Sequence, residues 1–192
     1  MKRLLTLIER NIAGKKVLAL FLLTNAVYVY MLAFTIPGTM KFSNGMKLLD
    51  MMPTGYDLNY VNTLFSSLGE EGRQAYLTTQ IPPDMVYPIL FGLSYCLLTG
   101  YFLKKLQKLN THYLYIGVLP IISAVADYVE NVGIIVMLNR YPNLTQDLVS
   151  FTNVFSVIKS ISTSLFFIAL IGLLLSFGVK SISRKKTNDN VM

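Results

Sequence analysis

Two acidic side chains, Asp127 and Glu130, interrupt one apolar stretch of the sequence, and Lys159 interrupts the next. Carboxyl groups one helical turn apart can act as a general acid or base, since burial and a like charge favour protonation of one of them. The same groups can instead hold helices together through ion pairs and hydrogen bonds. Asp127, Glu130 and Lys159 are therefore catalytic candidates, with a purely structural polar network as the alternative.

The stretch 113–138 has the composition of a membrane-spanning helix despite its two acids. At 100° per residue, Asp127, Glu130 and Asn131 share one face, while Ile, Val, Leu, Tyr and Gly occupy most of the rest. A carboxylate at lipid depth costs about 2.5–3.5 kcal/mol on insertion scales, so such residues normally face a bundle interior. We therefore expect this face to meet a polar partner on a neighbouring helix.

Lys159 is the partner that the spacing favours. Glu130 lies eight residues before the end of one stretch at Leu138, and Lys159 lies eight residues after the next begins at Phe151. In an antiparallel hairpin, both side chains would then lie about 12 Å below the same surface, at about 1.5 Å per residue. The sequence predicts that Lys159 pairs with Glu130 or Asp127.

The composition of the chain is that of a polytopic membrane protein. Its 192 residues are 53% hydrophobic and only 14% charged, whereas soluble proteins average about 25% charged residues. The net charge is +7, and the positively charged residues lie beside the apolar stretches and form no nucleic-acid-binding motif. We therefore expect membrane lipids as partners and no nucleic acid. The sequence contains one cysteine, Cys96, and one histidine, His112. It therefore gives no basis for an internal disulfide, a metal site or a cofactor.

The sequence predicts one all-α domain over 1–192, an integral membrane four-helix bundle. The predicted spans are 17–36, 85–103, 113–138 and 151–179, followed by a disordered basic tail over 180–192.

The polar segment 37–83 separates the first two spans and is too long for a connector. Val61, Leu64, Phe65 and Leu68 recur at helical spacing, and Gly69 supplies a stop signal. We interpret the segment as a helical insertion, either a hairpin on the membrane surface or a lid over a cavity between the spans.

The distribution of Lys and Arg predicts the orientation. The N-terminal region, the 104–112 loop and the C-terminal tail hold twelve of them, against four in 37–83 and 139–150. By the positive-inside rule, both termini are cytoplasmic and the insertion is extracytoplasmic. The expected location is the cytoplasmic (plasma) membrane.

Further side chains are candidates for contact with a ligand. One lysine cannot neutralise two acids, so either one carboxyl group is protonated or another cation enters, which could be Arg73 folding in from the insertion, a ligand or a metal ion. The candidate ligand-binding residues combine the acid that opens span two, tyrosines of the first two spans, the amide beside Glu130 and this arginine. They are Asp84, Tyr87, Tyr95, Asn131, Arg73 and Tyr28.

These residues locate a site better than they identify its chemistry. The favoured function is binding or acting on a lipid-like or other hydrophobic ligand, and whether the chain is an enzyme stays open. The alternative is an accessory or assembly subunit of a membrane complex, in which the buried charges are structural. A hydrophobic small molecule, a second copy of the chain and a partner membrane protein are the expected partners beside lipids.

Overall fold

The structure is a computed structural model that describes residues 2–109 and 112–189. About 86% of it is helical, and four of its helices are long and apolar enough to cross a membrane. The predicted all-α class is therefore confirmed, as are four helices apolar enough to span a membrane, and these helices indicate a membrane-embedded protein.

Seven α-helices follow one another within the described residues. They are α1 (Lys2–Asn11), α2 (Gly14–Tyr30), α3 (Ile36–Met40), α4 (Leu58–Ala75), α5 (Ile81–Lys105), α6 (Leu119–Arg140) and α7 (Gln146–Asp189). Two π-helical turns, Met31–Thr35 and Tyr76–Gln80, join α2 to α3 and α4 to α5, and 3-10 turns occupy Leu49–Met51 and His112–Val118. In the bundle, α2 packs on α5, α5 on α6, and α6 on α7.

The second span begins differently from the prediction. Gly69 has a φ of 62° and breaks the helix, as its stop signal indicates. Residues 70–80 do not form a separate hairpin helix, because the π-helical turn Tyr76–Gln80 leads the chain directly into α5. Pro82 and Pro83 then lie at the start of α5, and their nitrogens carry no hydrogen to donate to the carbonyl groups of the preceding π-helical turn.

Residues 41–75, which we call the cap, cover one end of the bundle. Their apolar side chains share a core with α6 and the start of α7, as the lid interpretation requires. Fully buried members of this core are Leu48, Leu49, Val61, Leu64, Phe65, Ile134, Met137 and Val149. Asp57 starts α4 by accepting a 2.7 Å hydrogen bond from the backbone nitrogen of Tyr60.

The opposite end, which we call the base, is closed by α1. Ile8 and Ile12 are buried against α5, where Gly100 leaves no side chain between the helices. The remaining base core is also apolar and includes Leu103, Leu106, Leu109, Phe166, Leu170 and Leu173.

The last helix is longer than predicted. The sequence predicts disorder from residue 180, but α7 continues to Asp189 without a proline or glycine to end it after Gly178. Residues 190–192 of the predicted tail lie outside the described residues.

Candidate functional site

A cavity of about 680 Å³ lies between α2, α5, α6 and α7, beneath the cap. Its walls combine acids, aromatic rings and hydroxyl groups. The lining includes Asn25, Tyr28, Leu32, Asp50, Met51, Pro53, Asp84, Tyr87, Phe91, Tyr95, Ser123, Asp127, Lys159, Ser160, Thr163, Ser164 and Phe167.

Lys159 forms ion pairs with both acids of α6. Its Nζ contacts Oε2 of Glu130 and lies 3.3 Å from Oδ1 of Asp127. Nζ also donates a 3.4 Å hydrogen bond to the backbone oxygen of Asp50. The predicted pairing is therefore confirmed for both acids, and the ammonium group also ties α7 to the cap.

Close packing of α6 on α7 sets the position of these charges. A Cβ on Gly133 would collide with Thr152 of α7, so the glycine is what permits the approach. Deeper in the bundle, the hydroxyl groups of Ser123 and Thr163 lie 2.5 Å apart and form a hydrogen bond. These contacts hold Lys159 directly opposite its two carboxylates.

Asp50 is a fourth acid of the site, and the sequence reasoning missed it. It lies in the 3-10 turn of the cap, where Tyr76 donates to Oδ1 at 2.5 Å and Gln80 donates to Oδ2 at 3.0 Å. Thr35 in turn donates to Oε1 of Gln80 at 2.6 Å, which links both π-helical turns to the cap. The sequence signal that could have indicated this acid is its position directly between Leu48-Leu49 and two methionines, inside a segment that was interpreted as polar.

Asp84 is buried at the cavity wall without a cation of its own. The residue is 5% exposed, and its Oδ2 accepts no hydrogen bond from any part of the chain that the structure describes. It lies near enough to Asp50, Asp127 and Lys159 for their charges to act on it, but it forms no ion pair with Lys159. Asn131 supports it from behind, because the amide nitrogen donates to the backbone oxygen of Asp84 at 3.0 Å.

Aromatic rings line the cavity next to Asp84. Tyr28 of α2 stacks on Tyr87 of α5, with ring centroids 5.4 Å apart and planes inclined by 26°. Further along, Phe91 and Tyr95 lie 4.8 Å apart, and Phe167 of α7 lies 5.5 Å from Tyr95. The rings thus form a continuous aromatic wall from α2 across α5 to α7.

The predicted contribution of Arg73 is wrong. Its Nη1 donates to the backbone oxygen of Phe65 at 2.8 Å, and its guanidinium group lies 4.7 Å above the ring of Tyr141. These contacts hold the arginine in the cap and away from the cavity lining. Arg73 is therefore not the additional cation that the sequence analysis considered.

The other predicted site residues divide into two groups. Lining the cavity are Tyr28, Asp84, Tyr87, Tyr95, Asp127 and Lys159. Glu130 and Asn131 are fully buried behind the lining. Glu130 contacts Lys159, and Asn131 donates a hydrogen bond to Asp84, and both of these partners line the cavity. Only the first group can touch a ligand.

Acidic groups outnumber basic groups around the cavity. Four carboxyl groups, those of Asp50, Asp84, Asp127 and Glu130, surround the one ammonium group of Lys159. Tyr56 of the cap adds no charge, because burial raises the pKa of its phenol and the nearby negative charge of Glu130 raises it further.

Comparison of the chain with protein-family models, with curated proteins and with solved structures gives no match. No group of three or more His, Cys, Asp or Glu side chains arranged to hold a metal ion occurs within residues 2–109 and 112–189. The cavity is lined by carboxyl, ammonium, phenol and hydroxyl groups among apolar and aromatic side chains.

Proposed function

We propose that this chain is an integral membrane protein that binds a lipid-like or other hydrophobic ligand in the cavity beneath the cap. The observation that supports the proposal is the cavity of about 680 Å³, acidic at its inner wall and apolar at its edge. Ligand pockets of about 300–1,000 Å³ hold drug-sized molecules, so this volume suits a head group and part of an alkyl chain.

The entrance lies between the first and last spans. Within the described part of the chain, α2 and α7 do not pack on one another as the other neighbouring spans do. Leu32 of the first π-helical turn and Ser164 and Phe167 of α7 line this edge of the cavity and are exposed. In a bilayer such an opening faces the acyl chains, so an apolar ligand enters sideways from the membrane.

Asp127 and Glu130 have different roles in this proposal. Asp127 lines the cavity and can contact a ligand, or exchange a proton with it if the ligand is also a substrate. Glu130 is fully buried and keeps Lys159 in place from behind. Lys159 balances part of the negative charge at the inner wall.

A cavity-filling substitution tests ligand binding. We expect purified wild-type protein to bind about one equivalent of a fluorescent alkyl-chain probe, as a single site requires. Ser160 lines the cavity, so Ser160→Trp should remove this binding by filling the space. Ser176→Trp is the matched control, since Ser176 is exposed on the same helix and does not line the cavity. Equal probe binding by wild type and Ser160→Trp would contradict the proposal.

We further propose that the cap faces away from the cytoplasm in the cytoplasmic membrane, with both termini inside. Lys104, Lys105 and Lys108 lie near α1 at the base, and Lys180 donates to the backbone oxygen of Leu106 there. Lys and Arg concentrate on the cytoplasmic side of membrane proteins.

Single cysteines in a Cys96→Ala background test this orientation. An impermeant maleimide should label Asn143→Cys in intact cells, because this residue is exposed at the cap end. Ser181→Cys at the base should react only after the membrane is permeabilised. The reverse labelling pattern would show that the orientation is wrong.

A further inference from the structure

We propose that the head group of the ligand is cationic, a protonated amine or a quaternary ammonium group, and that Asp84 is its counter-ion. This inference rests on the proposed function, because it specifies the chemical class of ligand for the same cavity.

The charged groups of the site support a cationic ligand. Lys159 already contacts Glu130 and Asp127, and Asp50 receives its hydrogen bonds from the neutral donors Tyr76 and Gln80. Asp84 remains, buried and with an oxygen that no described residue satisfies. A buried carboxylate normally has a cation or several hydrogen-bond donors as partners.

No other basic side chain of the described chain lines the cavity to serve Asp84. Arg73, the nearest candidate from the sequence, is held by Phe65 and Tyr141 in the cap. A further cation for the acids of the cavity would therefore come from outside the described chain, and the cavity gives it access.

The aromatic wall beside Asp84 provides the second, independent observation. Tyr28 and Tyr87 form a stacked pair at the cavity surface, and Phe91 and Tyr95 extend it. Proteins bind alkylammonium groups with the faces of aromatic rings beside a carboxylate, because the face is the negative part of the ring quadrupole. An anionic head group would instead meet three carboxylates in the cavity lining.

The opening between α2 and α7 indicates the chemistry of the part of the ligand beyond its head group. From Asp84 the lining changes through aromatic rings to Leu32 and Phe167 at the exposed edge. A cationic head group at the inner wall thus places an attached alkyl chain toward the membrane. The ligand class is a cationic amphiphile, either a soluble one or an amine-bearing lipid of the bilayer.

Matched probes of equal chain length test the charge of the head group. Equilibrium dialysis would measure the binding of octyltrimethylammonium, octanoate and octyl glucoside to protein in nanodiscs of phosphatidylglycerol, below the micelle concentration of each probe. We expect saturable binding of octyltrimethylammonium, with the anionic and neutral probes weaker by about tenfold or more in Kd. Tetramethylammonium should also bind more weakly, because it has no alkyl chain.

Asp84→Asn tests the counter-ion while keeping the size of the side chain. We expect this variant to lose the preference for octyltrimethylammonium, with Kd raised by about tenfold or more. Asp147→Asn is the control, because it removes the same charge from an exposed position in the first turn of α7. Nanodiscs that also contain phosphatidylethanolamine distinguish the two ligand sources: competition with the probe would identify an amine-bearing lipid.

The outcomes separate the two proposals. Equal binding of all three octyl probes, unaffected by Asp84→Asn but abolished by Ser160→Trp, would overturn the cationic ligand and leave the hydrophobic cavity in place. No saturable binding of any probe would overturn both proposals. Binding of octyltrimethylammonium that Asp84→Asn and Asp147→Asn weaken equally would also overturn the role of Asp84.

Discussion

The two ends of the bundle are closed by different means. At the base, α1 packs Ile8 and Ile12 over Gly100, and the surrounding core is apolar. At the other end, the cap packs an equally apolar core on α6 but also places Asp50 over Lys159, next to three more buried carboxyl groups.

This difference shows that closing the bundle does not require buried charge. Within the described residues, the core of the base consists of aliphatic and aromatic side chains and a glycine contact. Charged groups away from water oppose folding unless they are well paired, and Asp84 is not. The polar groups under the cap are therefore better explained by the cavity that they line than by the stability of the bundle.

The largest effect is expected from breaking the charge cluster. Lys159→Met leaves Glu130 and Asp127 buried without their cation and should lower the free energy of unfolding by about 3–5 kcal/mol. Reversible unfolding in mixed micelles would measure this loss. The triple variant Asp127→Asn, Glu130→Gln, Lys159→Met should recover much of it, and a loss below about 1 kcal/mol in the single variant would show that the cluster is not a buried ion pair.

A smaller effect is expected at the base, where packing alone matters. Gly100→Val places side-chain atoms against Ile8 and Ile12 and should cost about 1–3 kcal/mol in the same assay. Gly172→Val is the control, because nothing lies within 4 Å of a Cβ at that position. Probe binding in the cavity should be unchanged in both variants, and its loss in Gly100→Val would mean that the two ends are coupled.

The connection between the cap and α7 should respond to a single methyl group. Gly55 has a φ of +87°, and a Cβ there would collide with Asn153, whose side chain accepts a 2.8 Å hydrogen bond from the backbone nitrogen of Tyr56. Gly55→Ala should cost about 1–2 kcal/mol from backbone strain, plus the loss of this contact.

Comparison with Gly45→Ala separates the loss of the Asn153 contact from the cost of backbone strain. Gly45 has a similar φ of +84° with nothing within 4 Å of a Cβ. Hydrogen exchange of the cap should therefore accelerate more in Gly55→Ala than in Gly45→Ala. Equal rates in the two variants would show that Asn153 does not hold the cap in place.

The smallest change in stability is expected at Asp84. Removing a buried carboxylate without a partner should leave the melting temperature of Asp84→Asn unchanged or raise it, in contrast to Lys159→Met. A thermal melt of both variants without ligand would measure this difference. A decrease in Asp84→Asn as large as that in Lys159→Met would instead make Asp84 part of the structural network.

Helical periodicity was sufficient to predict the part of the site that lies on α6 and α7. Asp127, Glu130 and Lys159 occupy long uninterrupted helices, so their faces and matched depths follow from the spacing and from one short connection. The same reasoning placed Asp84, Tyr87 and Tyr95 together on α5.

The rest of the site could not be predicted because it depends on contacts outside regular helices. Asp50 lies in a single 3-10 turn, where no periodicity indicates which side chains face inward. Arg73 has a long side chain, and its partners Phe65 and Tyr141 come together only when the cap folds. Residues 70–80 likewise continue into α5 through a π-helical turn, and such a turn has no simple composition signal.

The two π-helical turns have a consequence for the evolution of this chain. A π-helical turn is equivalent to one residue inserted into an α-helix, and one residue rotates everything beyond it by about 100°. Deleting a residue within Met31–Thr35 would thus turn Ile36 away from the cavity edge, and deleting one within Tyr76–Gln80 would rotate the cap relative to α5 and its Asp84. In an alignment of homologues, single-residue gaps in these turns would then identify relatives with an altered pocket, even where the side chains of the pocket are identical.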